Sequence, residues 1–178
     1  MKQIIISIVT TFIFILISGC QKSPGLIKEY TFEDGTADWR CLGATKIESS
    51  KTNPHSGNAS IKISGKLDPS VWSFTLTNRF SLTPGKKYRL TGWMLVEKES
   101  TYPIFFKCAL DKNDKWYENS LTQYYDLTKL GQWQELSTEF VSASDGNPKM
   151  LISVDKRPFD KSTDAIVYID DITLSEVN

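Results

Sequence analysis

The sequence has few of the residues on which enzyme chemistry most often depends. Its 178 residues include a single histidine, His55, and three cysteines. Such a set does not give the usual spacing of zinc ligands, and only His55 is available for a Ser-His-Asp or Cys-His arrangement. The sequence contains no Walker loop, glycine-rich dinucleotide motif or nucleophile elbow. We therefore predict a protein that is not an enzyme.

An excess of charge of either sign is also lacking. The chain carries 21 Lys and Arg residues against 21 Asp and Glu residues, and its formal net charge is zero. Binding to nucleic acid depends on a basic patch or stripe, and no basic segment stands out. The sequence thus predicts no nucleic-acid partner.

The only long apolar run is at the N-terminus. Lys2 precedes an almost wholly apolar stretch over residues 4–17, which leads into Ser18, Gly19 and Cys20. A basic start, an apolar segment and small residues before a cleavage point are typical of a secretory signal, and the run is short for a bilayer span of about 20 residues. A Cys directly after Ser-Gly resembles the lipobox of bacterial lipoproteins. The alternative is a plain anchor helix with an incidental Cys.

The lipobox resemblance implies how the chain is organised. Residues 1–19 are then a signal peptide, residues 20–25 a lipidated Cys20 with a short polar tether, and residues 26–178 a single domain. Acyl chains, palmitate among them, are the expected membrane attachment, because no later segment is apolar enough to span a bilayer. We expect a monomer in the bacterial cell envelope, held at the outer membrane.

Two cysteines, Cys41 and Cys108, remain after Cys20. Disulfides persist outside the cytoplasm, and a bond between these two residues would close a long loop. Two buried thiols are the alternative. Sequence does not supply the geometry that decides between them.

Residues 26–178 read as a series of short strands. Turn residues such as Pro84-Gly85 and Asp145-Gly146 separate segments rich in β-branched and aromatic side chains. Many short strands with no helical period predict an all-β jelly-roll sandwich. The predicted strands cover residues 26–32, 59–64, 71–82, 88–96, 104–110, 116–127, 133–141, 150–154 and 166–174.

Alternation within the strand at 88–96 sorts its side chains into two faces. Leu90 and Met94 share the apolar face, which we predict to point into the core. Trp93 shares the other face with Arg89 and Glu97. An aromatic ring among charges is either a binding surface or a cover for the sheet edge.

Several short motifs follow one another in a characteristic order. They are YTFEDG at 30–35, HSGNASIKI at 55–63, LTPGKKYRLTGW at 82–93, GQWQ at 131–134 and YIDDITL at 168–174. In this order and spacing they resemble the carbohydrate-binding modules of families four, nine and twenty-two. These families share a galactose-binding-like jelly roll, and the resemblance extends over nearly all of the chain after the signal.

The resemblance implies a structural calcium ion that joins the first strand to the last. Its carboxylate ligands would be Glu33 and Asp170, and calcium prefers such oxygen ligands. Asp170 is in strand register with Ile172 and Leu174, so we expect it to face inward, where a carboxylate needs a partner or a metal. The alternative is a pair of solvated turn acids.

The resemblance also implies a cleft in which polysaccharide or oligosaccharide stacks on aromatic rings. Trp72 matches a ring platform of the family, and Asp155 matches a carboxylate that contacts ligand. Some members carry an Arg three residues after the first Trp, but here Leu42 follows Trp39, so a xylan-type specificity does not carry over. Further candidates for the cleft are Trp93, Tyr102, Trp116 and Tyr117.

We therefore predict a lipid-anchored, non-catalytic protein that captures glycan, with separate glycoside hydrolases as possible partners in its use. The alternative is a structural or protein-binding envelope lipoprotein of the same fold that binds no sugar. In that case Trp72, Trp93 and Trp116 would all be buried. A second alternative is a small envelope hydrolase or lyase, in which two carboxylates would face one another across a deep groove.

Overall fold

The computed structural model describes residues 25–67, 73–98, 104–156 and 163–178. Within these ranges the chain forms twelve β-strands and one 3-10 turn at Leu127–Lys129, and no helix is long and apolar enough to cross a membrane. The strands are β1 (Leu26–Tyr30), β2 (Arg40–Cys41), β3 (Thr45–Ser50), β4 (Ser60–Leu67), β5 (Ser73–Leu76), β6 (Phe80–Ser81), β7 (Lys87–Lys98), β8 (Ile104–Lys112), β9 (Lys115–Leu121), β10 (Gln134–Val141), β11 (Pro148–Lys156) and β12 (Thr163–Val177).

The strands form two antiparallel sheets. The first sheet has the order β10-β7-β12-β4-β3, and β1 also pairs with β12. The second sheet has the order β2-β5-β11-β8-β9, and β6 also pairs with β11. The predicted all-β jelly-roll sandwich is confirmed.

The core lies between the two sheets and follows the alternation of side chains along each strand. Leu90 and Met94 of β7 are fully buried, as the sequence predicts. In β8 the inward positions are Ile104, Phe106, Cys108 and Leu110, all with no exposed surface. The residues between them point to the outer face of the second sheet.

Gly92 allows the two sheets to approach closely in the middle of β7. A Cβ atom at this position would lie 2.9 Å from Cε2 of Phe106 and 3.0 Å from Cγ1 of Ile172. Real Cβ atoms do not approach neighbours this closely in a well-packed core. The absence of a side chain at residue 92 therefore leaves room for the Phe106 ring of the opposite sheet.

The largest departures from the predicted strands are at polar segments. The segment 71–82 divides into β5 and β6. At Thr77 the N–H still donates to Ile152 O at 2.9 Å, but Ile152 N donates to the Thr77 hydroxyl at 2.9 Å, so a side chain takes the place of the backbone carbonyl where β5 ends. β3 was not predicted. Its only apolar side chain is Ile47, and an edge strand with one partly buried residue shows no clear alternation.

Cys41 and Cys108 are free thiols. They lie on β2 and β8, with β5 and β11 between them in the second sheet. Three strand spacings amount to about 14 Å, whereas the Cα atoms of a disulfide are at most about 7 Å apart. The structure thus favours the second alternative, in which both are thiols, and burial raises the pKa of each.

Candidate functional site

A cleft lies on the outer face of the second sheet. It has a volume of ≈ 390 Å³ and runs over the outward positions of β8, β9 and β11. Aromatic, aliphatic, amide and cationic groups therefore meet on one open surface. The lining residues are Lys107, Ala109, Trp116, Asn119 and Leu151.

Trp116 forms one end of this cleft. It pairs with Asp111 across the β8–β9 hairpin, whose turn residues Asn113 and Asp114 have φ values of 51° and 64°. This left-handed turn is the kind that joins two strands tightly, and Asn and Asp tolerate it. Trp116 is 50% exposed, so its indole is open to a ligand.

A buried ion pair lies beside the cleft. The Lys107 ammonium is 2.5 Å from Oδ2 of Asp155, and their side chains are 12% and 2% exposed. Lys107 lines the cleft, while Asp155 pairs in the ladder with Phe105 and Ser73. The carboxylate therefore fixes a cation, which has hydrogen-bond donors to spare, at the edge of the cleft.

Ser153 adds a polar group next to this pair. It is the ladder partner of Lys107 and is fully buried. Among the residues that the structure describes, its hydroxyl has no hydrogen-bond partner. An unpaired buried hydroxyl costs free energy, so a water or a ligand oxygen near Lys107 would be favoured.

Tyr124 is an aromatic residue of this surface that the sequence analysis missed. Its ring is 46% exposed and meets Phe105 edge-on, with the ring centroids 5.1 Å apart. Phe105 is an outward residue of β8, so Tyr124 stands beyond Lys107 at the opposite end from Trp116. The alternation of side chains could have identified Tyr124. Its neighbour Tyr125 is buried, so the next residue along the chain points outward.

The predicted sugar-binding residues divide between the two sheets. Trp116 and Asp155 lie on the outer side of the second sheet, as described above. Tyr117 is exposed but points the other way, and its hydroxyl accepts a hydrogen bond from Ala143 N at 3.0 Å. Trp72, Tyr102 and the lipidation residue Cys20 lie outside the described residues, and their roles stay predictions.

Trp93 lies on the outer face of the first sheet. The His55 ring stacks on its indole, with the centroids 3.9 Å apart and the planes at 17°. Trp133 meets the same imidazole edge-on at 5.4 Å. One face of Trp93 is thus covered by the protein itself, and Trp93 does not share a cleft with Trp116.

The carboxylates predicted to hold calcium are both bonded to the loop before β4. Glu33 accepts hydrogen bonds from Asn58 N at 2.8 Å and Ala59 N at 3.2 Å, and these bonds hold its pKa below the usual range. Asp170 accepts from His55 N at 3.0 Å and Ser56 N at 3.3 Å.

These N–H groups are donors and do not coordinate a cation. Within the described ranges no group of three or more His, Cys, Asp or Glu side chains is arranged to hold a metal ion. In this arrangement the carboxylates of Glu33 and Asp170 are satisfied by N–H donors of the loop before β4. The calcium prediction therefore rests on the resemblance alone.

Asp170 is buried, as expected, but it does not face the core. It pairs in the ladder with Trp93, an outward residue, and its side chain is covered by the loop that carries His55. A register shift follows directly, and Asp171 has a φ of 45°. This β-bulge reverses the alternation, so Asp170 and Ile172 point to opposite faces although they are two positions apart in the sequence.

Comparison with known proteins identifies the family to which this chain is similar. The family described as carbohydrate binding domain (CBM families 4 and 9) matches residues 24–160. An endo-1,4-beta-xylanase A of Thermotoga maritima is 29% identical over 122 residues, which cover 66% of this chain and 11% of that protein. The chain thus spans about a tenth of this relative.

Solved structures share the fold. The CBM22-1 xylan-binding domain of Paenibacillus barcinonensis has a TM-score of 0.65 at 13% identity, covering 88% of this chain and 98% of that one. The C-terminal family 22 module of Clostridium thermocellum Xyn10B has a TM-score of 0.64 at 17% identity, covering 86% and 96%. These matches are to carbohydrate-binding modules, which are non-catalytic.

Proposed function

Since the chain belongs to this family of carbohydrate-binding modules, we propose that it binds polysaccharide or oligosaccharide in the cleft of the second sheet. Trp116 carries this proposal. A half-exposed indole at the end of a cleft offers an apolar plane on which the C–H face of a sugar ring stacks, with a favourable free energy of about 1 kcal/mol beyond area burial if it resembles other aromatic contacts.

The polar groups beside Trp116 supply the second half of sugar recognition. Asn119 offers an amide and Lys107 an ammonium that Asp155 holds in place. Amide and ammonium groups donate hydrogen bonds to sugar hydroxyls. Tyr124 gives a second exposed ring about six residues of β8 away from Trp116, or roughly 20 Å. That separation favours a chain of several sugar units over a single monosaccharide.

We further propose a neutral glycan. Four basic side chains in and around the cleft already have carboxylate partners, so less positive charge is left to attract a uronic acid. Several structural neighbours are xylan-binding domains, which makes xylan the first neutral glycan to test. The four ion pairs, each within 3.2 Å, are Lys107–Asp155, Arg79–Asp111, Lys112–Asp145 and Lys149–Asp114.

Calorimetric titration with oligosaccharides of xylan, glucan, mannan and polygalacturonate tests this proposal. We expect micromolar to millimolar affinity for a neutral oligosaccharide, and a loss of tenfold or so in Trp116→Ala, since a stacked ring contributes about 1–2 kcal/mol. Trp133→Ala is the matched control, because it removes an indole from the first sheet. Equal affinity in Trp116→Ala and wild type would contradict the proposal.

The two alternatives from the sequence analysis receive less support. A module that binds no sugar would bury its aromatic residues, but Trp116 is half exposed. A hydrolase would need two carboxylates facing one another across a groove. Among the described residues that line the cleft there is no Asp or Glu.

We also propose that Cys20 is lipidated and that the module is held at the outer membrane of a bacterial envelope. The support is the apolar run over residues 4–17 followed by Ser-Gly-Cys. Metabolic labelling with an alkyne fatty acid should mark the wild-type chain, and Cys20→Ser should abolish the label and release the protein from membranes. A wild-type chain without label would contradict this proposal.

A further inference from the structure

The Trp116 side chain needs support that its own strand does not give. β9 is the edge strand of the second sheet, so only β8 lies beside it. A ring half in solvent on an edge strand samples several rotamers unless a neighbour holds it. A binding surface is most effective when the orientation of its contacting groups is fixed before the ligand arrives.

Arg79 provides this support from another part of the chain. It belongs to the connection between β5 and β6, and its Cζ lies 4.2 Å from the centroid of the Trp116 ring. This is a cation–π contact with the guanidinium over the indole face. Arg79 does not line the cleft, whereas Trp116 does. Arg79 reaches the ring from the side of Asp111 and Asp114, whereas the cleft extends on the side of Ala109 and Lys107.

Two carboxylates hold Arg79 in turn. Its Nε lies 3.2 Å from Oδ2 of Asp111, and Nη1 lies 3.7 Å from Oδ1 of Asp114. Asp111 has no exposed surface, so its charge needs a cation nearby. Asp111 is also the ladder partner of Trp116. The buried carboxylate, the guanidinium and the indole thus form one contiguous group.

We propose that Arg79, anchored by Asp111, is a positioning residue that sets the Trp116 ring as a fixed wall of the cleft. This inference rests on the proposed function. Arg79 acts through Trp116 and does not contact the glycan. Its removal should lower glycan affinity about two- to fivefold, the size expected from an exposed cation–π contact.

Two measurements test this proposal. One is the ¹⁹F resonance of the Trp116 ring, and the other is a double-mutant cycle of glycan affinity for Arg79 and Trp116. The protein contains five tryptophans, so labelling with 5-fluorotryptophan gives five ¹⁹F resonances, and Trp116→Phe identifies that of residue 116. Arg79→Ala should shift and narrow this resonance in the unliganded protein, and Arg79→Lys, which keeps the charge without the planar fork, should restore part of its position. Arg89→Ala, which removes an exposed Arg paired with Glu139 on the first sheet, should leave it unchanged.

Glycan affinity supplies the second measurement. Arg79→Ala should weaken binding in the wild-type background and have no effect in a Trp116→Ala background, since additivity fails for residues that act through each other. An equal loss in both backgrounds, or an unchanged ¹⁹F resonance in Arg79→Ala, would overturn the positioning role. If the wild type binds none of the glycans, the proposed function has failed, while a shifted resonance still supports the positioning role and an unchanged one still overturns it.

Discussion

The ammonium of Lys107 lies 2.5 Å from the carboxylate of Asp155, and water reaches little of either side chain. The pair sits beside the cleft, between the ring of Trp116 and that of Tyr124. A pair buried in this way makes the stability of the sheet depend on the same residues as ligand binding. That dependence can be measured.

Lys107→Met should lower the free energy of unfolding by about 3 kcal/mol, because it removes the Lys107 cation from a carboxylate that stays buried. Chemical denaturation measures this loss. Lys112→Met is the matched control. Its pair with Asp145 is also 2.5 Å long and starts from the same strand, but it is exposed, so the loss should be less than about 1 kcal/mol. Similar losses in the two variants would contradict the burial argument.

Gly92→Ala should destabilise the protein by about 1–3 kcal/mol, the usual cost of overpacking a core. The added methyl group would meet Phe106 and Ile172 at 3.0 Å or less. Thermal and chemical unfolding measure the effect, and Thr91→Ala on the outer face of the same strand is the control. An unaltered midpoint in Gly92→Ala would show that the two sheets separate easily.

In Glu33→Gln the free energy of unfolding should decrease less steeply than in wild type as the pH is lowered into the acid range. Hydrogen bonds from Asn58 N and Ala59 N lower the pKa of Glu33 from its ordinary value of 4.5. A carboxylate lowered in this way stabilises the fold above pH 4.5 and loses that contribution as the pH falls through the lowered pKa. Unfolding curves between pH 2 and 7 test this, and parallel curves for wild type and variant would contradict it.

Asp170→Asn should change the pH dependence in the opposite direction. Burial raises the pKa of Asp170 above its ordinary value of 3.8. The folded state therefore binds more protons than the unfolded state just above pH 3.8, and the contribution of Asp170 to stability decreases as the pH rises through that window. The free energy of unfolding of wild type, Asp170→Asn and Glu33→Gln is measured against pH in the same buffers. Relative to wild type, the two variants should change the slope of this curve in opposite directions. If both variants changed the slope in the same direction, the Asp170 carboxylate would be solvated and this prediction would be wrong.

Calcium should leave the melting temperature unchanged, since N–H donors already occupy the carboxylates of Glu33 and Asp170. Thermal melts in calcium and in chelator test this expectation. A melting temperature that rises with calcium in the wild type, but not in Glu33→Gln, would instead support the calcium site that the family resemblance implies.

Much of the fold was predictable because one rule, the alternation of side chains, holds along most strands. It correctly separated Leu90 and Met94 from Trp93 in β7. It failed at Asp170, where a single left-handed residue, Asp171, reverses the faces. A bulge of this kind has little local signature, since Asp is common in ordinary turns as well.

The cleft was predictable in part. Asp155 was named because it matches the place of a family carboxylate, and Trp116 because it lies in or beside a loop that could line the same cleft. The structure places both on the outer side of one sheet, and their contact with glycan stays a prediction. Arg79 and Tyr124 were missed because their neighbours come from distant segments. Arg79 approaches Trp116 only when β6 pairs with β11, which no local pattern in the sequence reveals.

The position of β12 has a consequence for biosynthesis. This strand pairs with β7 on one side and with both β4 and β1 on the other, yet it is the last strand of the domain to be synthesised. The first sheet lacks its central strand, β12, until residue 177 has left the ribosome. The two halves of the first sheet, β10-β7 and β4-β3, are therefore joined only by the last strand, so the domain reaches its folded state only after all of its strands have been made.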